Sequence, residues 1–231
     1  MNELESEVDT ILTELAAHGS AENRAGMARF GINSDQAFGV SMTVIRPIAK
    51  RHRGRHDLAE ALWASKKHEA RIMAALIEDP KAITSEQMDR WVADFDSWDL
   101  CDQASMKLFA ASPHIFAKVE QWAADDREFV RRSAFATIAG FAVHAKKVPD
   151  ESLVPFLILI ERHASDGRNY VRKAINWALR QIGKRSASLH PQALELAERL
   201  AMSSDKSERW IGRDAVKELT DPKQLARLGL S

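Results

Sequence analysis

An internal repeat constrains this chain more than any other feature. Asp125-Asp126-Arg127-Glu128-Phe129-Val130-Arg131-Arg132 recurs as Asp166-Gly167-Arg168-Asn169-Tyr170-Val171-Arg172-Lys173, at an offset of 41 residues. The shared pattern is Asp-x-Arg-x-aromatic-Val-Arg-basic, followed each time by an apolar stretch of helical period. A weaker third copy follows, with Trp210-Ile211-Gly212-Arg213 about where Tyr170-Val171-Arg172-Lys173 would recur. A unit of this length is a helical pair too small to bury its own apolar face, so neighbouring units must stack.

The rest of the chain has the same period. Val8, Ile11, Leu12 and Leu15 mark a first helix over 5–18. Ser20 opens a second through Met27, and Gly31, Asn33 and Gly39 break it. Ser41 starts a third, in which Pro47 either falls in the interior or ends a short first piece. Residues 56–64 and 66–78 form the next pair, closed by Asp79-Pro80. Thr84 to Glu86 opens another helix, with Met88, Trp91, Val92 and Phe95 on its stripe. Ser112-Pro113 starts residues 113–123. Val154 to Ile160 is the best candidate for a strand, but Pro155 fits better in the first turn of a helix. Helices only, with a period near 40, predict an all-α fold: a right-handed α-α superhelix of HEAT-like or ARM-type repeats, with residues 1–231 as one domain.

Composition bounds function loosely. Net charge is zero, with 33 basic and 33 acidic residues, which by itself weighs against nucleic acid. The charges are segregated, however. Residues 46–56 hold Arg46, Lys50, Arg51, Arg53 and Arg55 without an acid. Residues 160–185 carry a balance of +5, and residues 78–102 one of −6. A segregated surface can carry a basic stripe for phosphates, although each cluster alone reads first as a solvated helix face. Cys101 is the only cysteine, so no disulfide forms within the chain, and it reads as a small buried apolar residue. No apolar run approaches the ~20 residues that span a bilayer. The acidic N-terminus argues against a targeting peptide, and the whole reads as cytoplasmic. Nothing in the chain sets an oligomeric state.

Four carboxylates and a Trp crowd into Asp94-Phe95-Asp96-Ser97-Trp98-Asp99-Leu100-Cys101-Asp102. Asp96 or Ser97 reads as a helix N-cap. The helix that follows puts Trp98 and Asp102 at i and i+4, on one face. A flat aromatic wall beside an anion suits a substrate that becomes cationic. Taken alone, the pair reads first as a core anchor beside a surface acid, since most such pairs are structural.

Together these stretches resemble the AlkD-type DNA alkylation repair proteins, HEAT-like-repeat DNA glycosylases. The resemblance covers nearly the whole chain. It rests on Met27-Ala28-Arg29, Leu62-Trp63 with Glu69, Trp98-Asp99-Leu100-Cys101-Asp102, Phe129-Val130-Arg131-Arg132 and Lys173-Ala174-Ile175-Asn176-Trp177-Ala178-Leu179-Arg180. It implies that Asp102 is the catalytic aspartate and that Trp98 and Trp177 flank the sugar-phosphate of the lesion. Arg132 is implied to hold the DNA backbone. With the repeat, it makes Arg131, Arg132, Arg172 and Lys173 candidates for a basic ladder along one concave groove. The chain departs from the family in having Cys101 where a Val is common and in its neutral charge. The first affects packing under the site, and the second affects affinity for duplex DNA.

These residue types suit the implied chemistry. An N3- or N7-alkylated purine is already cationic and leaves as a neutral base, so no general acid is required, unlike the two-carboxylate arrangement of ordinary glycosidases. One carboxylate suffices to stabilise the oxocarbenium-like sugar and orient water, and Asp102 is the candidate. Tryptophan faces add about 0.5–2 kcal/mol each toward a cation. The expected partner is double-stranded DNA carrying alkylated purines, bound without a lesion-swallowing cavity and without cofactor or metal. His68-Glu69, His144 and His163 have no metal-ligand spacing and read as surface or capping residues. The rival reading is a non-enzymatic HEAT-like adaptor that binds structured or damaged DNA, or a protein. An acid among basic residues and tryptophans separates the two readings.

Overall fold

The computed structural model describes residues 2–230, which divide into two compact units, 2–114 and 115–230. No strand occurs among the described residues. No helix among them is long and apolar enough to cross a membrane.

The first unit contains α1 (Glu3–Ala17), α2 (Ala21–Arg29), α3 (Met42–Lys50), α4 (His56–Ala64), α5 (His68–Ile77), α6 (Ser85–Ala93) and α7 (Trp98–Gln103). Local sequence sets most boundaries. The side chains of Asn2, Ser20 and Thr84 accept from backbone N–H groups of the first turns of α1, α2 and α6. Pro47 lies inside α3, where it removes one helical hydrogen bond. The helix persists because Ile45, Ile48 and Ala49 are buried on the opposite face. The core is centred on Trp63 and Trp91, stacked with centroids 4.0 Å apart and planes 3° from parallel. Each indole N–H is satisfied by an acid on a neighbouring helix or its end, Trp63 by Asp94 at 2.9 Å and Trp91 by Glu60 at 3.1 Å. After α7 the chain winds as a π-helix over Ala104–Phe109, burying Leu108 and Phe109.

The second unit contains α8 (Ile115–Ala123), α9 (Glu128–His144), α10 (Val154–His163), α11 (Asn169–Gly183), α12 (His190–Ala201), α13 (Lys206–Leu219) and α14 (Pro222–Leu228). Residues 154–160 are helical, with Pro155 in the first turn of α10. The repeated Asp-x-Arg has one geometry in both copies. Arg127 at the N-cap of α9 donates Nε and Nη2 to Asp125 at 3.0 and 2.8 Å, and Arg168 at the N-cap of α11 does the same to Asp166 at 3.0 and 2.6 Å. Each aspartate also accepts its arginine's backbone N–H. The motif is thus a helix-start device rather than a site. In the third copy Asp205 caps α13 directly, through the N–H groups of Ser207 and Glu208.

Successive repeats are tied at matching places. Arg168 donates to the carbonyl of Asp126 at 2.6 Å, and Ser207 donates to that of Asp166 at 2.7 Å. Asn176 on α11 donates to Asp214 on α13 at 2.6 Å, and Arg180 and Lys184 pair with Glu218. Gly212 lets α13 approach α12 closely: a Cβ there would lie 2.1 Å from the backbone nitrogen of Ala201.

Candidate nucleic-acid interface

In the first unit, α7 presents the stretch singled out in the sequence. Ser97 occupies the N-cap with extended backbone, but its hydroxyl donates to Asp96 at 3.3 Å and makes no cap hydrogen bond to the first turn. Leu100 and Cys101 are buried and anchor the helix, while Trp98 and Asp102, one turn apart, remain half-buried. The Trp98 indole N–H donates to the carbonyl of Phe30 at 3.0 Å, which fixes the ring edge-on to the loop after α2.

That loop, residues 30–41, is held by α5. Glu69 is 1% exposed and accepts three backbone N–H groups, from Phe38 at 2.9 Å, Gly39 at 2.7 Å and Val40 at 3.0 Å. Gly39 has φ +83°, and a Cβ there would lie 2.3 Å from the carbonyl of Ser20, so only glycine fits. Asn33 closes the loop onto α7 through Asp96 at 2.6 Å. The neighbouring His68 is also buried, with Nε2 2.8 Å from Asp99 Oδ2. The expectation of His68 and Glu69 as surface or capping residues therefore fails on exposure. Their polar groups are buried because each has a designated partner, and Glu69 does cap backbone, though of a loop rather than a helix. Burial pulls the His68 pKa down, but the hydrogen bond and charge of Asp99, with Glu69 and Asp96 behind it, outweigh this and raise it above 6.5. A small polar cavity of about 160 Å³ lies beside this cluster, lined in part by Asn33, Gln36, Lys66 and His68. Lys66 at its rim has φ 60°, left-handed backbone that is uncommon for a side chain of this kind.

In the second unit, α11 carries Lys173, exposed, and Trp177, half-buried, one turn apart on the same face. Arg172 stacks on Trp210 of α13, 4.4 Å from guanidinium to ring centroid. Arg131 and Arg132 on α9 serve internal contacts. Arg131 donates to Asp166 at 2.8 Å, and Arg132, 6% exposed, donates to the carbonyl of Tyr170 at 2.6 Å. The helix α13 adds what the four basic candidates omitted. Lys206, Trp210, Arg213 and Lys217 fall at i, i+4, i+7 and i+11, a single stripe along an open concavity of about 360 Å³. Lys206, Arg213 and Lys217 have no ion-pair partner among the described residues, because the nearby Asp214 and Glu218 are taken by α11. The weak third repeat copy was the sequence signal for this stripe.

Similarity to known proteins follows these features. A solved structure superposes with a TM-score of 0.76 at 20% identity over 96% of both chains. It is described as belonging to "a new family of proteins related to the HEAT-like repeat DNA glycosylases with affinity for branched DNA structures". The fold is therefore the all-α HEAT-like repeat architecture. The family model described as "DNA alkylation repair enzyme" matches residues 11–219, and the chain belongs to that family. No curated protein matches the sequence.

Proposed function

We propose that this protein is a DNA glycosylase that removes cationic N3- and N7-alkylated purines from duplex DNA. The observation that carries the reading is the pairing of Trp98 and Asp102 on one half-open face of α7, in a chain of the alkylation repair family. Trp98 is held rigid by its bond to Phe30, so its face is pre-set rather than recruited. The Asp102 carboxylate stabilises positive charge as it develops on the deoxyribose and orients the attacking water at C1′. The alkylated base departs as a neutral purine as its bond to C1′ breaks, and water supplies the hydroxyl to the sugar, its other proton passing by way of the Asp102 carboxylate to solvent. Trp177, in the second unit, offers an aromatic face to the sugar-phosphate of bound DNA.

The backbone is held by Lys173 and Arg172 on α11, joined by Arg213 and Lys217 on α13. Arg132 supports this set from beneath, holding the carbonyl of Tyr170 at the start of α11. The test is release of 7-methylguanine and 3-methyladenine from methylated DNA by the purified protein, with Asp102→Asn alongside.

A second reading has one observation in its favour. The structurally similar protein belongs to a family described as having affinity for branched DNA. Under that reading the basic stripes bind a junction and no base is released. Tight binding of a four-way junction together with no excision of either methylated base would favour it over the first.

A further inference from the structure

The basic run at 46–56 takes no part in the site above. In the first unit it lines a pocket of about 360 Å³ between the C-terminal ends of α3 and α5 and the π-helical segment after α7. Arg46 and Lys50 lie one turn apart on α3, Arg53 follows in the next turn, and Lys107 comes from the π-helical segment. All four are exposed, and none has an ion-pair or hydrogen-bond partner among the described residues. The turn that carries Arg53 is fixed to α5, because Gly54, at φ +79°, donates to the carbonyl of Ile77 at 2.7 Å.

Two acids also line the pocket, and neither serves these cations. Glu78 is engaged on both oxygens, by His56 at 2.9 Å, Gln87 at 2.7 Å and the N–H of Asp79 at 2.8 Å. Asp79 accepts from the N–H of Lys81 at 2.9 Å. Helix C-termini attract cations, and that accounts for Lys50 at the end of α3. It does not account for Arg46 one turn earlier, nor for Lys107 on another segment. The floor of the pocket is apolar, with Ala49, Leu76 and Leu108 among its residues.

We infer that this pocket binds a nucleoside phosphate. A dense anion is held by Arg46, Lys50, Arg53 and Lys107, and a flat, less polar base lies on the floor. Its size sets the ligand class. Small-molecule pockets run from about 300 to 1,000 Å³, and this one lies at the lower end, sized for one nucleotide rather than a duplex. Four cations converging on one pocket also differ from the spaced cations that track a DNA backbone. The ligand is either a free nucleotide or the phosphorylated end of a DNA strand. The inference does not depend on base excision.

The test uses the full chain. Calorimetric titration compares adenosine 5′-monophosphate with adenosine. A second arm compares duplexes bearing a single-stranded 5′ overhang with and without the terminal phosphate, and covalently closed plasmid measures affinity for DNA without ends. The expected result is at least a tenfold preference for the phosphorylated member of one pair, lost in Arg53→Gln/Lys107→Gln. That variant should keep its melting temperature and its binding to closed plasmid. Preference only for the monophosphate identifies a free nucleotide as the ligand, and preference only for the phosphorylated overhang identifies the strand end. Equal binding with and without phosphate in both arms overturns the inference, as does a preference unchanged in the double variant. Excision from methylated closed plasmid, measured on the same variant, reports separately on the glycosylase reading.

Discussion

His68 Nε2 lies 2.8 Å from Asp99 Oδ2, while the other Asp99 oxygen is buried without a hydrogen-bond partner among the described residues. The imidazole is therefore the main support of a carboxylate within the helix that presents Trp98 and Asp102. The folded protein holds the His68 proton more tightly than an unfolded chain would, since its pKa is raised above 6.5. The stabilisation is full below the unfolded value and is lost as pH rises through the folded one. Thermal melts across the histidine range should show wild type losing stability toward alkaline pH. His68→Gln should be less stable at acid pH and flatter in profile. Parallel profiles for the two proteins would dismiss the coupling.

The two copies of the Asp-x-Arg device should differ in cost. Asp166, 6% exposed in its side chain, serves both Arg168 and Arg131, whereas Asp125 is 27% exposed. Burial raises the Asp166 pKa, but the two guanidinium groups outweigh this and hold it at about 2. Because the folded pKa is depressed, its contribution is complete above the unfolded value and disappears as pH falls toward about 2. Asp166→Asn should cost on the order of 2 kcal/mol, less than a fully buried pair because Arg168 keeps solvent contact. Asp125→Asn should cost roughly 1 kcal/mol or less. Urea denaturation of both variants measures the order, and a larger loss for Asp125→Asn would contradict it.

Asp102→Asn keeps size and hydrogen-bonding capacity and removes the charge. Under the proposed function, that charge would face an anionic backbone in the ground state and a cationic sugar in the transition state. Excision should fall by roughly 10²–10³ while DNA binding holds or tightens slightly. Single-turnover release of 7-methylguanine, filter binding and a melt on one preparation separate catalysis from folding. Wild-type excision in a well-folded variant removes Asp102 from the mechanism.

On α13, Arg213→Ala and Lys217→Ala should each weaken binding to undamaged duplex and reduce the salt slope by about one, as expected when one phosphate contact is lost. Trp210→Ala should weaken binding as well, by releasing Arg172 from its stacked position. Affinities measured at several salt concentrations give the slopes. Unchanged slopes in both charge variants would place the DNA elsewhere.

Helix boundaries were legible in the sequence because their causes are local. Thr84 and Ser20 cap the next turn, and Pro155 sits where no N–H is required. The repeat was legible because a helix-start device must be spelled out each time. The partners of buried polar groups were not legible. Glu69 holds N–H groups 29 to 31 residues earlier, and Arg132 holds a carbonyl 38 residues later. Backbone groups have no side-chain signature, so a sequence cannot announce that an arginine or glutamate has been claimed by one. The same limit left Arg131 looking available for phosphate.

The π-helical winding of Ala104–Phe109 bears on how this chain tolerates change in length. Such a segment accommodates one residue more than an α-helix over the same rise, so it behaves as an insertion retained within a continuous helix. Removing a single residue there would relax the winding to ordinary α geometry without turning the helix on either side of it. The side chains inside the segment, Lys107 among them, would be re-aimed while Trp98 and Asp102 stayed in place. Homologues that lack the extra residue should thus keep the α7 face with the Lys107 side of the basic pocket altered, so the two features can be inherited independently.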